Sequence, residues 1–268
     1  MYCPQQRMGA FPVLEQRRQL SKRIRDMVQA REEKRGLLIA FEGPDGSGKT
    51  TQRKLFKTWL QSEGHDVFTS KWNSSPLVKP LVKARKAAHS LSPEEFCLLH
   101  AADFRYRLES DILPALWEGK MVVADRYLFT ALARDAARGM DLDWLLHVYM
   151  PLFWPDIVFY FSVSPETSGK RIAATRSPKF YEAGQDITEI EDPLQSYTQF
   201  ISRVITEYEN LALIFQFVTV DAEQSIYDQH QLIRRLYQEG QKRSWAEWNL
   251  EALGDWLEHR PASREVPA

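Results

Sequence analysis

The sequence predicts a doubly wound α/β domain on a parallel sheet, and three observations carry that expectation. Short, almost wholly apolar runs recur along the chain, helical patterns with recognisable caps separate them, and a glycine-rich phosphate-loop signature follows the first run. The runs are Leu37-Leu-Ile-Ala-Phe41, Val67-Phe-Thr69, Met121-Val-Val-Ala124, Ile157-Val-Phe-Tyr-Phe161 and Phe217-Val-Thr-Val220. Strands apolar on both faces are what a sheet covered by helices on both sides requires.

The elements follow in order. After Phe41 the glycine-rich stretch leads into a polar–apolar pattern that runs to Glu63 and stops at Gly64, a helix C-cap signal. Ser92-Pro93-Glu94-Glu95 combines an N-cap serine, a proline at the first helical position and a glutamate at the third, so a long helix is expected from there to about Glu118, with Gly119 as its stop. Gly139 is a second stop, and Ser164-Pro165 starts a further helix in the same way. These elements place one α/β domain over residues 37–239.

At about 150 residues per domain, 268 residues suggest roughly 1.8 domains. The surplus lies in two flanks. Residues 1–36 carry nine Lys/Arg against four Asp/Glu, and Leu20, Ile24, Met27 and Val28 share one helical face there. Residues 240–268 place Trp245, Trp248, Ala252 and Trp256 on another. Both read as amphipathic helices packed on the main domain or on a second subunit, with membrane or partner docking as the other reading.

The whole chain is balanced, with 35 basic and 36 acidic residues, 44% hydrophobic and 26% charged. That excludes a disordered or coiled-coil chain and gives no overall positive charge for nucleic acid or an anionic membrane. Two cysteines, Cys3 and Cys97, make no zinc, redox or disulfide pattern. No apolar run approaches the roughly 20 residues of a membrane span, and no secretory leader is evident, so a reduced, cytoplasmic protein is expected. The six histidines show no metal-ligand spacing. His100 shares a helix with Asp103 and Arg105 and either faces their pocket or packs.

The strongest motif is Gly43-Pro-Asp45-Gly46-Ser47-Gly48-Lys49-Thr50, which fits G-x-x-x-x-G-K-[ST] at every fixed position. Its context, an apolar strand before and a helix after, is that of a P-loop NTPase. Glycines let backbone N–H groups turn in around a phosphate, and the helix N-terminus adds partial positive charge there. Lys49 reaches the β- and γ-phosphates and the Thr50 hydroxyl can ligate Mg²⁺. Asp125 closes the third strand at its C-terminal end, where open α/β sheets place ligand-contacting groups; it serves either a metal or the N-cap of the next helix. Arg126 beside it can clamp an anion.

Phe41-Glu42-Gly43-Pro-Asp45-Gly-Ser-Gly48-Lys49-Thr50-Thr51-Gln52, with Asp125-Arg126-Tyr127 later, resembles the thymidylate kinase family of P-loop nucleoside monophosphate kinases, from about Leu37 to Gln238. The resemblance implies transfer of the γ-phosphoryl of ATP to dTMP with Mg²⁺, on a five-stranded parallel sheet, in a homodimer. It implies that Asp45 orients the acceptor side, that Gly43, Gly46, Ser47, Gly48, Lys49, Thr50 and Thr51 hold ATP, that Thr50 and Asp125 hold the metal, and that Arg126 and Tyr127 meet the acceptor. Gly46 stands where one subgroup has an arginine, which other members supply from the lid. Candidates here are Arg171 and Arg176, followed by Lys179, in a lid over residues 171–185. Phe180-Tyr181-Glu182-Ala183-Gly184 resembles the stretch that faces the acceptor nucleoside, and Asp221-Ala222 the loop near adenine.

The acceptor half departs from the family pattern. Where the family has Arg-Glu-Pro-Gly-Gly, this chain has Ser70-Lys71-Trp72-Asn73-Ser74-Ser75, and Lys71 replaces the charge but not the bidentate fork. Ala-Ala-Asp-Arg becomes Ala101-Ala102-Asp103-Phe104-Arg105, moving one arginine about 100° around the helix. Phe104 stacks on a base or belongs to the core. Two other readings therefore stand beside dTMP phosphorylation: a kinase of the same fold with a different acceptor, and a nucleotide-binding regulatory protein without catalysis.

Overall fold

The computed structural model describes residues 35–150 and 153–240. The two flanking helices expected around residues 20–28 and 245–256 lie outside them. The five strands are β1 (Leu38–Glu42), β2 (Val67–Lys71), β3 (Met121–Asp125), β4 (Ile157–Ser162) and β5 (Val218–Asp221), in the order β2-β3-β1-β4-β5 with every pair parallel. The central strand β1 is buried along its whole length, as its continuous apolar run requires. The edge strands β2 and β5 are partly exposed, and their sequences carry the Thr, Ser and Lys that an edge tolerates.

The helices are α1 (Lys49–Ser62), α2 (Lys79–Ala87), α3 (Pro93–Arg107), α4 (Leu113–Trp117), α5 (Leu128–Ala136), α6 (Leu142–Tyr149), α7 (Pro165–Ala173), α8 (Phe180–Ala183), α9 (Pro193–Ile214) and α10 (Ile226–Gly240). Alternation along β1 divides the core. Ile39 and Phe41 pack with Phe56 and Trp59 of α1 and Ile233 and Tyr237 of α10, while Leu38 and Ala40 face the layer of α3, α5, α6 and α9. Cys97 is buried in that second layer. No helix among the described residues is long and apolar enough to cross a membrane.

Ser92 caps α3 through the expected box: its hydroxyl accepts from Glu95 N while Glu95 accepts from Ser92 N. The helix predicted to reach Glu118 is interrupted by a π turn at Leu108–Ile112 before α4. Pro114, with no N–H to give, stands just after that turn, where the regular ladder would otherwise need it. The stops at Gly64, Gly119 and Gly139 all adopt positive φ. The helices α2 and α8 were not foreseen; neither N-cap side chain accepts a bond, and their start signals are only Pro80 in the first turn of α2 and Glu182, which accepts from Lys179 N, in α8.

The start of α5 decides where the site lies. Its N-cap, Tyr127, makes no side-chain cap bond. The carboxylate of Glu42, at the end of β1 and fully buried, accepts instead from Tyr127 N at 2.8 Å, Thr130 N at 3.2 Å, Thr130 Oγ1 at 2.6 Å and Tyr208 Oη at 2.9 Å. One side chain thus caps a helix from the neighbouring strand and ties it to α9. Burial raises the Glu42 pKa, opposed by the bonds from Thr130 and Tyr127 and the charge of Arg126. Removing it strands two backbone N–H groups in the core and leaves the Thr130 and Tyr208 hydroxyls only each other, 2.8 Å apart, and Arg126. Glu42→Ala should therefore cost on the order of 3 kcal/mol in urea denaturation; a variant of unchanged stability would contradict this role.

Candidate active site

The phosphate loop folds as its motif demands. Gly43 has φ 139° and a Cβ there would lie 2.8 Å from Phe161 O, so β4 passes too close for any side chain. Gly46 has φ 73°, and a Cβ would meet Ser168 O at 2.8 Å. An arginine at that position would collide with α7, which accounts physically for its absence. Ser168 Oγ and Tyr197 Oη both donate to Asp45 O, pinning the loop from the far side. Lys49 is buried and donates to Pro44 O at 2.9 Å; burial and the charge of Arg126 pull its pKa down to about 8, against Asp45 and Asp125. Ser47 Oγ is buried without a hydrogen-bond partner, an orphan that a phosphate oxygen would satisfy. Thr50 and Thr51 are exposed on the first turn of α1.

Asp125 and Arg126 lie at the tip of β3, beside β1 in the sheet. Asp125 does not cap α5; it is buried and its Oδ2 lies 3.2 Å from Arg53 Nε. Arg126 adopts φ 70°, a left-handed conformation rare for a residue with a side chain. Its guanidinium reaches Gly43 O at 2.9 Å and Asp45 Oδ1 at 2.5 Å. Asp45 also meets Arg134 Nη1 at 3.0 Å and lies 4.0 Å from Lys49 Nζ. Burial alone would raise the Asp45 pKa, but Arg126, Lys49 and Arg134 together hold it well below the usual carboxylate range.

A cleft of about 420 Å³ opens from this cluster. Arg126, Arg134, Lys71, Lys86, Arg176 and Lys179 line it with positive charge against Asp45, Asp135 and Glu182, and Trp72, Phe96, His100 and Tyr181 supply aromatic surface. Arg176 and Glu182 form a two-pronged pair with both contacts at 2.7 Å. Tyr181 is anchored by its hydroxyl, which accepts from Leu91 N at 2.8 Å, while Arg138 donates to Tyr181 O at 2.8 Å and to Asp186 Oδ2 at 2.8 Å.

Several expected site residues lie elsewhere. Phe104 is core, packed edge-on against Tyr127 and Tyr149, which settles its two readings against base stacking. Tyr127 is itself buried, its hydroxyl donating to Phe153 O. Arg105 turns away to the end of α6, donating to the carbonyls of Tyr149 and Met150. Asp103 does not line the cleft; it is wholly buried, accepts from Asn73 N, Ser75 N and Arg107 Nε, and so holds the loop that carries Trp72. Arg171 belongs to the last turn of α7, not to a lid loop, because the capped start at Ser164 carries the helix to Ala173. It straps Gly46 O at 3.2 Å to Ala222 O at 3.0 Å. Asp221 is exposed and accepts from Glu223 N and Gln224 Nε2 in its own turn.

Other lining residues were not foreseen. Thr130 and Arg134 line the cleft and, with the expected Arg126 before them and Arg138 behind the cleft after them, recur every four residues as one stripe on and beyond α5, a signal legible in the sequence. Asp135, Lys86 and Phe96 carried no such signal. Neither oxygen of Asp135 receives a hydrogen bond from an N–H or O–H group, and burial pushes its pKa up to about 6 against the pull of Arg138.

A Gly43–Thr50 phosphate loop between β1 and α1, with Asp125-Arg126 at the tip of β3, defines the P-loop class of α/β proteins. The model of the thymidylate kinase family matches residues 41–233. The probable thymidylate kinase 2 of Saccharolobus solfataricus is 40% identical over 205 residues, covering 75% of this chain and 95% of its own. The probable thymidylate kinase of Pyrococcus horikoshii is 38% identical over 144 residues, 52% of this chain and 70% of its own. The thymidylate kinase of Bacillus velezensis is 34% identical over 149 residues, 53% of this chain and 70% of its own. The chain belongs to the thymidylate kinase family.

Asp135 gives a prediction with a defined sign. A carboxyl whose pKa is raised in the folded state contributes stability below its unfolded value of 3.8, and that contribution is lost as pH rises through about 6. Relative to wild type, Asp135→Ala should therefore gain about 2 kcal/mol between pH 4 and pH 8. Urea denaturation across that range checks it; a pH-independent difference would refute it.

Proposed function

We propose that this chain is an ATP- and Mg²⁺-dependent nucleoside monophosphate kinase whose acceptor is dTMP. The observation that carries the reading is the junction at Asp45: one carboxylate in the phosphate loop is bound by Arg126 and Arg134, both of which line the adjoining cleft. Donor and acceptor sites thus share a wall of fixed charges. Family membership, with relatives named for thymidylate, supports the choice of acceptor.

In this reading the loop from Gly43 to Thr50 cradles the ATP phosphates with its backbone N–H groups, and Ser47 Oγ gains a partner. Lys49 exchanges its bond to Pro44 for the β- and γ-phosphates. Arg126 and Lys71 hold the acceptor phosphate, whose oxygen attacks the γ-phosphorus as the bond to the β-bridging oxygen breaks. Arg176, now paired with Glu182, is the lid arginine that meets the transferred group. Arg171 keeps the loop rigid from behind.

No group of three or more His, Cys, Asp or Glu stands ready to hold a metal among the described residues. Thr50, exposed at the start of α1, and Asp125, at the tip of β3, would offer Mg²⁺ a hydroxyl and a carboxylate, the hard oxygen donors it takes. The metal supplies charge neutralisation on the phosphates. The protein's own contribution is alignment and fixed positive charge. A homodimeric, cytoplasmic protein acting on no nucleic acid completes the reading.

A second reading keeps the reaction and changes the acceptor. It rests on Phe104 and Arg105, which turn away from the cleft, and on Lys71 and Trp72, which line it. A coupled ADP-release assay over a panel of nucleoside monophosphates separates the two: dTMP should be preferred, and preference for another acceptor favours the second. Lys49→Ala should lower kcat by about 10³ or more and Arg126→Lys kcat/KM by about 10², with folding intact by circular dichroism. Near-normal rates in either variant would overturn its role.

A further inference from the structure

The wall of the cleft formed by α2 and α3 carries groups with no part in phosphoryl transfer as described. Phe96 and His100 stand one turn apart on α3 and stack at 4.2 Å with 28° between their planes. Trp72 lies within 13° of parallel to the same imidazole at 5.8 Å. His100 thus lines the cleft beside two roughly parallel rings, and the edge of its imidazole carries the two ring nitrogens.

That edge has a fixed polarity. His100 Nδ1 lies 2.7 Å from Phe96 O, and a carbonyl can only accept, so Nδ1 carries the proton and Nε2 the lone pair. Burial and the charges of Lys86, Arg138 and Arg134 keep the imidazole neutral, well below its ordinary pKa. Lys86 Nζ stands 3.5 Å from Nε2, long for a hydrogen bond, and 4.4 Å above the Phe96 ring. Burial beside Arg134 and Arg138 pulls Lys86 down to about 8, so it remains a cation at neutral pH. The wall therefore sets an acceptor next to a donor.

We infer that Lys86 and His100 read the base of the acceptor: His100 Nε2 accepts a ring N–H while Lys86 donates to the neighbouring carbonyl, selecting a keto–imide edge such as that of thymine or uracil. This rests on the nucleotide-kinase reading above and names the groups that set its specificity. Cytosine presents the opposite order, a bare ring nitrogen toward Nε2 and an amino group toward the ammonium, and is rejected at both positions. A phosphate does not suit this wall, because the phosphoryl oxygens bring no proton to the Nε2 lone pair. Trp72 and Phe96 supply the flanking apolar surface.

The test is kcat/KM of the full-length protein for dTMP, dUMP and dCMP at saturating ATP, in wild type, Lys86→Met and His100→Phe. The second variant keeps a ring in the stack while removing Nε2. Each should lower the dTMP-to-dCMP ratio about 10- to 100-fold, with the KM for ATP within about twofold of wild type. Merely structural damage would depress all acceptors together and leave the ratio alone. An unchanged ratio in folded variants overturns the inference and leaves the proposed function standing. Absence of turnover with every acceptor in wild type overturns the proposed function, and calorimetric binding of dTMP against dCMP in the same three proteins then decides the inference by the same ratio. Should Lys86→Met fail to fold, His100→Phe alone decides it.

Discussion

The carboxylate of Glu42 fixes the N-terminus of α5 against the end of β1, and the charged side of the molecule is arranged from that attachment. Because Tyr127 N and Thr130 N are both bound to it, the first turn of α5 has one allowed position relative to the phosphate loop. An acidic group there also suits the partial positive charge at a helix start. The stripe of Arg126, Thr130, Arg134 and Arg138 is then aimed as a unit: Arg126 and Arg134 at Asp45, Arg138 at Tyr181 O and Asp186. A single buried acid thus couples the phosphate loop, the cleft beside it and the segment from Tyr181 to Asp186.

Three cations converge on Asp45 and none is left as an isolated charge. The arrangement keeps the arginines rigid without ligand, so their order need not be created when substrates bind. The same logic governs the loop carrying Trp72, where the fully buried Asp103–Arg107 pair binds Asn73 N and Ser75 N. Burying such a pair is costly unless further hydrogen bonds satisfy it, and here the loop backbone does so.

The sheet was legible because each strand is an almost continuous apolar run, and the helix starts at Ser92 and Ser164 because capping is a local code. The phosphate loop was legible because its chemistry depends on residues adjacent in sequence. The cleft proposed for the acceptor showed in the sequence only as a departure from the family pattern. Its walls come from α2, α3, α5 and α8, and which face of each meets the cleft is settled by packing, not by spacing. Asp103 shows the difference: the i, i+4 relation to Arg107 was available as a sign of internal pairing, whereas its place in a family motif pointed toward substrate. Phe104 faces the core because Tyr127 and Tyr149 complete an aromatic cluster around it, a circumstance no single segment reveals.

The left-handed backbone at Arg126 sets stability and purpose against each other at one position. A glycine would occupy that conformation without strain, whereas a side chain there costs on the order of 1 kcal/mol. The substitution that relaxes the main chain is the one that removes the guanidinium from Asp45. The relief is smaller than the cost of stripping a partner from partly buried Asp45, so the strained main chain is held by the ion pair it makes possible.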